Sequence, residues 1–182
     1  MHYSKIYQTS ITDGPGVRVS LYVSGCRNHC KGCHNPESWD FQFGKDFTEE
    51  SESLILKLLD RYYIAGLSIV GGEPMEPENQ KCLVSLVEKV KLAFPDKNIW
   101  CYTGYDLKDL LPGGRKYTKG ITERLLACLD VLVAGRFELD KRDISDANRW
   151  RGSTNQRVLD VTKSVKKGKE IFVEGIPNNM LN

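Results

Sequence analysis

Residues 17–33 read VRVSLYVSGCRNHCKGC. In the first seven, Val17, Val19, Leu21 and Val23 alternate with Arg18, Ser20 and Tyr22. A period of two predicts a strand, and Ser24-Gly25 ends it. Directly beyond stand Cys26, Cys30 and Cys33, spaced C-x3-C-x2-C. Three thiols drawn from so short a loop point to a metal or cluster site. The strand in front of them places that site at a strand end.

Working outward, strand and helix patterns alternate. A helix is predicted over residues 48–63. Leu54, Ile55, Leu58, Leu59 and Tyr62 share one face, and Thr48 serves as N-cap ahead of Glu49 and Glu50. Residues 67–70 form a short apolar strand that stops at Gly71-Gly72. A second helix runs over about 77–94, with Cys82, Leu83, Leu86, Val87, Val90 and Phe94 inward and Pro77 in the first turn. Further strands are expected at 98–103 and 131–133, with a helix over 121–129 between them. Residues 157–161 and 170–173 are weaker strand candidates, and 136–156 are rich in loop residues.

Such alternation implies a mainly parallel sheet with right-handed crossovers, whose sites gather where the strands finish. The unusual residues obey that rule. The cysteine loop follows one strand, Gly71-Gly72-Glu73-Pro74 the next, Thr103-Gly104-Tyr105 the third and Ala134-Gly135-Arg136 the fourth. The chain has 182 residues, short of the ~250 typical of a closed eight-repeat barrel. The expectation is therefore α/β: a single domain over 1–182 forming an open, partial β/α barrel. Its sheet is expected to be mainly parallel, with about five or six strands. Residues 24–39 form the cluster-binding loop, and 136–182 the C-terminal loop and tail.

Composition sets wide bounds. Hydrophobic residues make up 40% and charged residues 27%, as in ordinary globular proteins. A net charge of +2 gives no reason to expect a nucleic-acid partner. The one basic run, KSVKKGK at 163–169, reads as a solvated turn or helix end. The opening MHYSKIYQTS lacks the apolar core of a secretory signal, and no apolar run reaches membrane-spanning length. A cytoplasmic chain with no membrane partner is expected. Its six cysteines should then be reduced thiols or ligands rather than disulfides.

The cysteine run has rival readings. Zinc sites usually close with four ligands, and His29 or His34 could supply a fourth, but no second cysteine pair stands at finger spacing. An electron-transfer cluster takes four thiolates, which would recruit Cys101 or Cys82. Cys82 and Cys128 fall on apolar helix faces and Cys101 inside a strand, where free cysteine behaves as a small hydrophobe. What remains is a four-iron cluster held by Cys26, Cys30 and Cys33, with one iron left open to a small molecule. The turn at 71–74 is weak evidence alone, since glycines before a proline also simply end a strand.

Taken together, the C-x3-C-x2-C run after the first strand and the GGE turn after the next resemble the radical S-adenosylmethionine superfamily. That resemblance implies a partial barrel, a 4Fe-4S cluster on Cys26, Cys30 and Cys33, and S-adenosylmethionine as cosubstrate. It assigns Gly71, Gly72 and Glu73 to the methionine end, and Gly32, Cys33 and His34 to the cosubstrate near the cluster. Most of the superfamily has an aromatic residue where this chain has Gly32, so His34 is the residue expected beside the nucleotide. Further strings narrow the resemblance. Residues 13–18 read DGPGVR, 99–105 read IWCYTGY and 150–157 read WRGSTNQR. Together they are similar to glycyl-radical-enzyme activases, and most of all to those of anaerobic ribonucleoside-triphosphate reductases. Ala134 departs from that pattern, in which an aspartate often precedes the glycine.

The resemblance implies an oxidoreductase that reductively cleaves S-adenosylmethionine to a 5′-deoxyadenosyl radical and so generates a glycyl radical on the reductase large subunit. A one-electron donor such as a reduced flavodoxin would supply the electron. The basic residues Arg136, Lys141, Arg142 and Arg149 are candidates for docking the partner. The alternatives are an activase of another glycyl radical enzyme, such as pyruvate formate-lyase, and a non-enzymatic zinc or electron-transfer module.

Overall fold

The computed structural model describes residues 1–176. Its strands are β1 (His2–Ser10), β2 (Val17–Val23), β3 (Lys45–Asp46), β4 (Ile64–Gly71), β5 (Asn98–Thr103), β6 (Val131–Ala134) and β7 (Arg157–Asp160). The helices are α1 (Glu49–Leu59), α2 (Pro77–Ala93), α3 (Leu107–Leu110), α4 (Thr122–Cys128) and α5 (Val161–Lys167). All seven strands join one sheet in the order β3-β1-β2-β4-β5-β6-β7. β3 and β7 lie at opposite ends of that order, so the sheet is not closed.

The centre matches the sequence pattern: β2, β4, β5 and β6 pair in parallel. Two expectations are corrected. The sheet is mixed rather than mainly parallel, because β1 pairs antiparallel with both β2 and β3, and β7 pairs antiparallel with β6. It also has seven strands, not five or six. The reasons are local. In β1, register shifts between Tyr3 and Lys5 and between Tyr7 and Ser10 break the period of two. β7 runs backwards because no crossover helix returns the chain: residues 135–156 stay at the end where β6 finishes, and β7 starts there.

The two faces of the sheet differ. On one, Val19, Leu21, Leu67, Ile69, Ile99, Cys101, Leu132 and Leu159 pack against Ile55, Leu58 and Leu59 of α1, Leu83, Leu86 and Val87 of α2, and Leu125 and Leu126 of α4. At about 25 cal/mol per Å² of apolar surface, this core is the main driving force for folding. The opposite face carries a smaller cluster of Trp100, Val131, Val133 and Val158, together with the buried polar residues Arg18, Ser20 and Ser68. Alternation along β2, β4 and β5 puts one set on each side.

Smaller differences follow from end effects. α1 stops at Leu59, so Tyr62 is 96% exposed and off the inward face. Val161 opens α5 rather than ending a strand; Asp160 caps it by accepting from the Lys163 N–H, and Gly168 in the left-handed conformation terminates it. The basic run is thus the body and end of that helix. Residues 170–173 form one bridge, Leu159 to Phe172, and no strand. The last part of the tail, 177–182, lies outside the described residues. No helix among the described residues is long and apolar enough to cross a membrane.

Candidate active site

The cysteine loop is stitched to its surroundings by backbone. Gly25 N–H donates to the Ser38 carbonyl at 2.8 Å and Cys26 N–H to that of Trp39 at 3.1 Å. Cys33 N–H donates to the Cys30 carbonyl at 3.1 Å, closing a turn with Gly32 at φ +74°. Left-handed backbone at that turn position favours glycine. His29 also takes a positive φ, +47°, and its ring stacks on Trp39 at 4.6 Å. All six cysteines are free thiols. Cys26 is buried, and burial pushes its thiol up to about 11 even though the backbone N–H groups of Asn28 and His29 bond to it. Such a thiol gives up its proton when a metal is offered, with the two N–H donors already in place for the thiolate.

One cavity of about 770 Å³ collects the sites predicted from sequence. Cys26, Cys30, Cys33, His34, Gly71, Gly72 and Glu73 all line it. Gly32 does not; a side chain there would press on Leu139. Ala134 also stays outside, fully buried in the helix-side core, while Gly135 reaches the cavity. Cys101 belongs to that same core, Cys128 packs against it, and Cys82 is half-buried on α2. None of these three lines the cavity.

The turn after β4 is built for close approach, but to the chain itself. Gly72 N–H donates to the Val23 carbonyl at 2.7 Å and Glu73 N–H to that of Gly25 at 2.9 Å. A Cβ on Gly72 would sit 2.8 Å from the Gly25 oxygen, so the turn has room for glycine alone. Glu73 is 1% exposed. Its Oε1 accepts from Thr103 Oγ1 at 2.7 Å and Met75 N–H at 2.9 Å; its Oε2 accepts from Gly104 N–H at 2.7 Å and Asn28 Nδ2 at 2.9 Å. Burial raises its pKa to about 7, and the donors hold back a larger rise.

Several participants were not singled out from sequence. Glu76 is fully buried and accepts from Tyr105 at 2.6 Å, Lys116 at 2.7 Å and Arg27 at 2.8 Å. Burial alone would raise its pKa, but these donors outweigh it and the carboxylate is held below the usual range. A second carboxylate three residues after Glu73 was the available signal. Arg18, last in DGPGVR, is fully buried, and Asp13 and Asp130 act on it only through space. It donates to Ser68 Oγ and to the carbonyls of Pro15, Leu67 and Asn98, and burial lowers its pKa to about 10. Ser68 Oγ in turn donates to the Asp13 carbonyl at 2.5 Å. The string is therefore a clamp that sets Asp13 on the cavity wall. In WRGSTNQR, Gln156 accepts from Gly152 and Ser153 N–H groups and donates to the Gly135 carbonyl, which ties that loop to the end of β6.

The donor set fits an iron–sulfur centre. Three soft thiols share the cavity, and no fourth cysteine enters it. Among the described residues, no three His, Cys, Asp or Glu side chains gather closely enough to hold one metal ion.

Comparison with known proteins bears on the same residues. A family model described as a 4Fe-4S single cluster domain matches residues 12–159. The chain is 40% identical over 165 residues to the anaerobic ribonucleoside-triphosphate reductase-activating protein of Pasteurella multocida, covering 90% of this chain and 99% of that protein. It is 36% identical over 167 residues to the protein of that name from Enterobacteria phage T4, covering 92% and 99%. The Vibrio cholerae protein is 40% identical over 158 residues, covering 86% and 96%. The chain belongs to the family of anaerobic ribonucleoside-triphosphate reductase-activating proteins, within the 4Fe-4S single cluster class.

Proposed function

We propose that this chain is an iron–sulfur activase that uses S-adenosylmethionine to install a glycyl radical on an anaerobic ribonucleoside-triphosphate reductase. The observation that carries the reading is the meeting of Cys26, Cys30 and Cys33 with the Gly71-Gly72-Glu73 turn in one cavity, in a chain related along most of its length to named activating proteins. In this reading the whole chain acts as one domain, and the open sheet is the partial barrel of the radical S-adenosylmethionine type.

Cys26, Cys30 and Cys33 would hold the cluster as thiolates. When bound, a cluster with three protein ligands supplies an open iron for the amino and carboxylate groups of the cosubstrate, and the electron that breaks its sulfonium bond. The protein's own share is placement and exclusion of water. The Asn28 and His29 N–H groups stabilise the Cys26 thiolate. Glu73, when ionised, would favour the ammonium group at the methionine end of the cosubstrate. His34 stands at the cavity wall as the candidate neighbour of the nucleotide. Arg142 and Arg149 line the same cavity, where an incoming polypeptide would meet them. The electron donor would be a small reduced protein such as a flavodoxin, working in the cytoplasm.

The test is an anaerobic incubation of reconstituted protein with dithionite, S-adenosylmethionine and a candidate reductase subunit. A glycyl doublet by electron paramagnetic resonance is expected, with methionine released. Iron-loaded protein that cleaves the cosubstrate but gives no doublet with any such reductase would move the assignment to another glycyl radical enzyme, such as pyruvate formate-lyase. Protein that takes up only zinc would end it.

A further inference from the structure

Asn28 stands between two of the three loop cysteines, and its side chain has no part in the reading above. Three of its groups are engaged at once. Its backbone N–H bonds to the Cys26 thiol. Its carbonyl accepts from Arg136 at 2.6 Å. Its side-chain amide donates to Glu73 Oε2 at 2.9 Å. An ionised carboxylate only accepts, so the amide must present its nitrogen there.

The far side of this contact is equally specific. Gly104 N–H donates to the same Oε2 at 2.7 Å. A Cβ on Gly104 would collide with Asn28 Nδ2. Glycine at 104 is thus what lets the amide reach the carboxylate. With Thr103 and Met75 on the other oxygen, all four acceptor directions of Glu73 are taken by the chain itself. This carboxylate works as a junction among three segments: the cysteine loop, the end of β4 and the end of β5.

We propose that Asn28 is a positioning residue that locks the cysteine loop to this junction, so that the cluster ligands and the turn receiving the methionine end of the cosubstrate keep one fixed relative placement. The proposal deepens the functional reading above and rests on it for the identity of the cosubstrate. Asn28 lines the same cavity, and the role assigned to it here is one of placement. It acts through Glu73 and through the backbone that bears Cys26.

The experiment uses the full chain, wild type and Asn28→Ala, in two arms. In the first, metal-free protein is followed by amide hydrogen exchange. The amides of residues 27–30 should exchange about tenfold faster in the variant, with the amides of β4 and β5 unchanged. In the second, the reconstituted, reduced protein is titrated with S-adenosylmethionine and its cluster signal recorded by electron paramagnetic resonance. The concentration that half-converts the signal should rise about tenfold, with iron per chain and the signal before addition unchanged. Gly104→Ala should reproduce the second effect, and its added cost should shrink in the Asn28→Ala background, where the collision is gone.

Unchanged exchange in the loop overturns the lock. So does an unchanged titration midpoint, a shift that falls strictly in proportion to lost iron, or full additivity of the two substitutions. The first arm needs no cofactor. Wild-type protein that binds a cluster but ignores the cosubstrate would therefore sink the functional reading, while loop exchange still decides the lock.

Discussion

Two trios of cysteine share this chain. Cys26, Cys30 and Cys33 lie beyond the end of β2 on a cavity. Cys82, Cys101 and Cys128 lie on or beneath the helix-covered face. Burial raises the thiol pKa of all three members of the second trio, and of Cys26 in the first. Desolvation therefore does not separate candidate ligand from packing residue. What separates them is backbone. Cys26 has N–H donors turned toward its sulfur and two more thiols on the same cavity; Cys101 sits inside a paired strand among apolar side chains. A ligand thiol needs a loop whose backbone is free to point at it.

The sharpest way to break this contrast is Cys30→Ala. Iron should no longer be held as a four-iron cluster and cosubstrate cleavage should fall to background, with the far-ultraviolet circular dichroism retained. A variant that still cleaves the cosubstrate after reconstitution would contradict the division. Next in size is Glu73→Gln, which changes no volume. The new NH₂ group must face a donor on one side or the other, since all four partners donate. A loss of about 2–3 kcal/mol in urea unfolding is expected from the buried mismatch. A variant as stable as the parent would mean that the network is not formed.

The same carboxyl sharpens the comparison through pH. Its folded pKa is raised to about 7 from 4.5, so the folded state binds more protons between those values. Its contribution to stability is full below pH 4.5, is lost as pH rises toward about 7 and is constant above. Glu73→Gln lacks that group. The stability gap between parent and variant should narrow as pH rises through this window, which chemical unfolding of metal-free protein at several pH values measures. A gap that widens would reverse the assignment. Smallest is the packing trio. Cys101→Ala should cost about 1 kcal/mol through the small void it leaves, with iron content unaltered. A large loss of iron would place Cys101 among the ligands after all.

Legibility varied by region. The strand at 17–23, α2 and β5 were readable because each carries a clean period and a glycine or proline at its boundary. β1 was not, because bulges and the charged Lys5 hide its alternation. The cysteines and the glycine turn were readable as a candidate site, and the fold brings them to one cavity. Asn28, Glu76 and Arg18 were not, because an asparagine, a second glutamate and an arginine have no local pattern that separates a buried partner from a solvated one. Gly32 shows the converse: its place in the motif pointed to the cosubstrate, while its conformation serves the turn over residues 30–33.

The amino-acid order alone determined which residues are candidate ligands and that they fall at strand ends, since spacing and periodicity are local properties of a chain. Which of those atoms share a cavity, how many strands run backwards, and that Glu73 is saturated by Asn28, Thr103, Met75 and Gly104 were decided only in three dimensions. These contacts join residues some thirty to forty-five positions apart, apart from the local one to Met75. Hydrogen bonds of that reach depend on how the β2, β4 and β5 ends are brought side by side, and no short stretch of sequence encodes that placement.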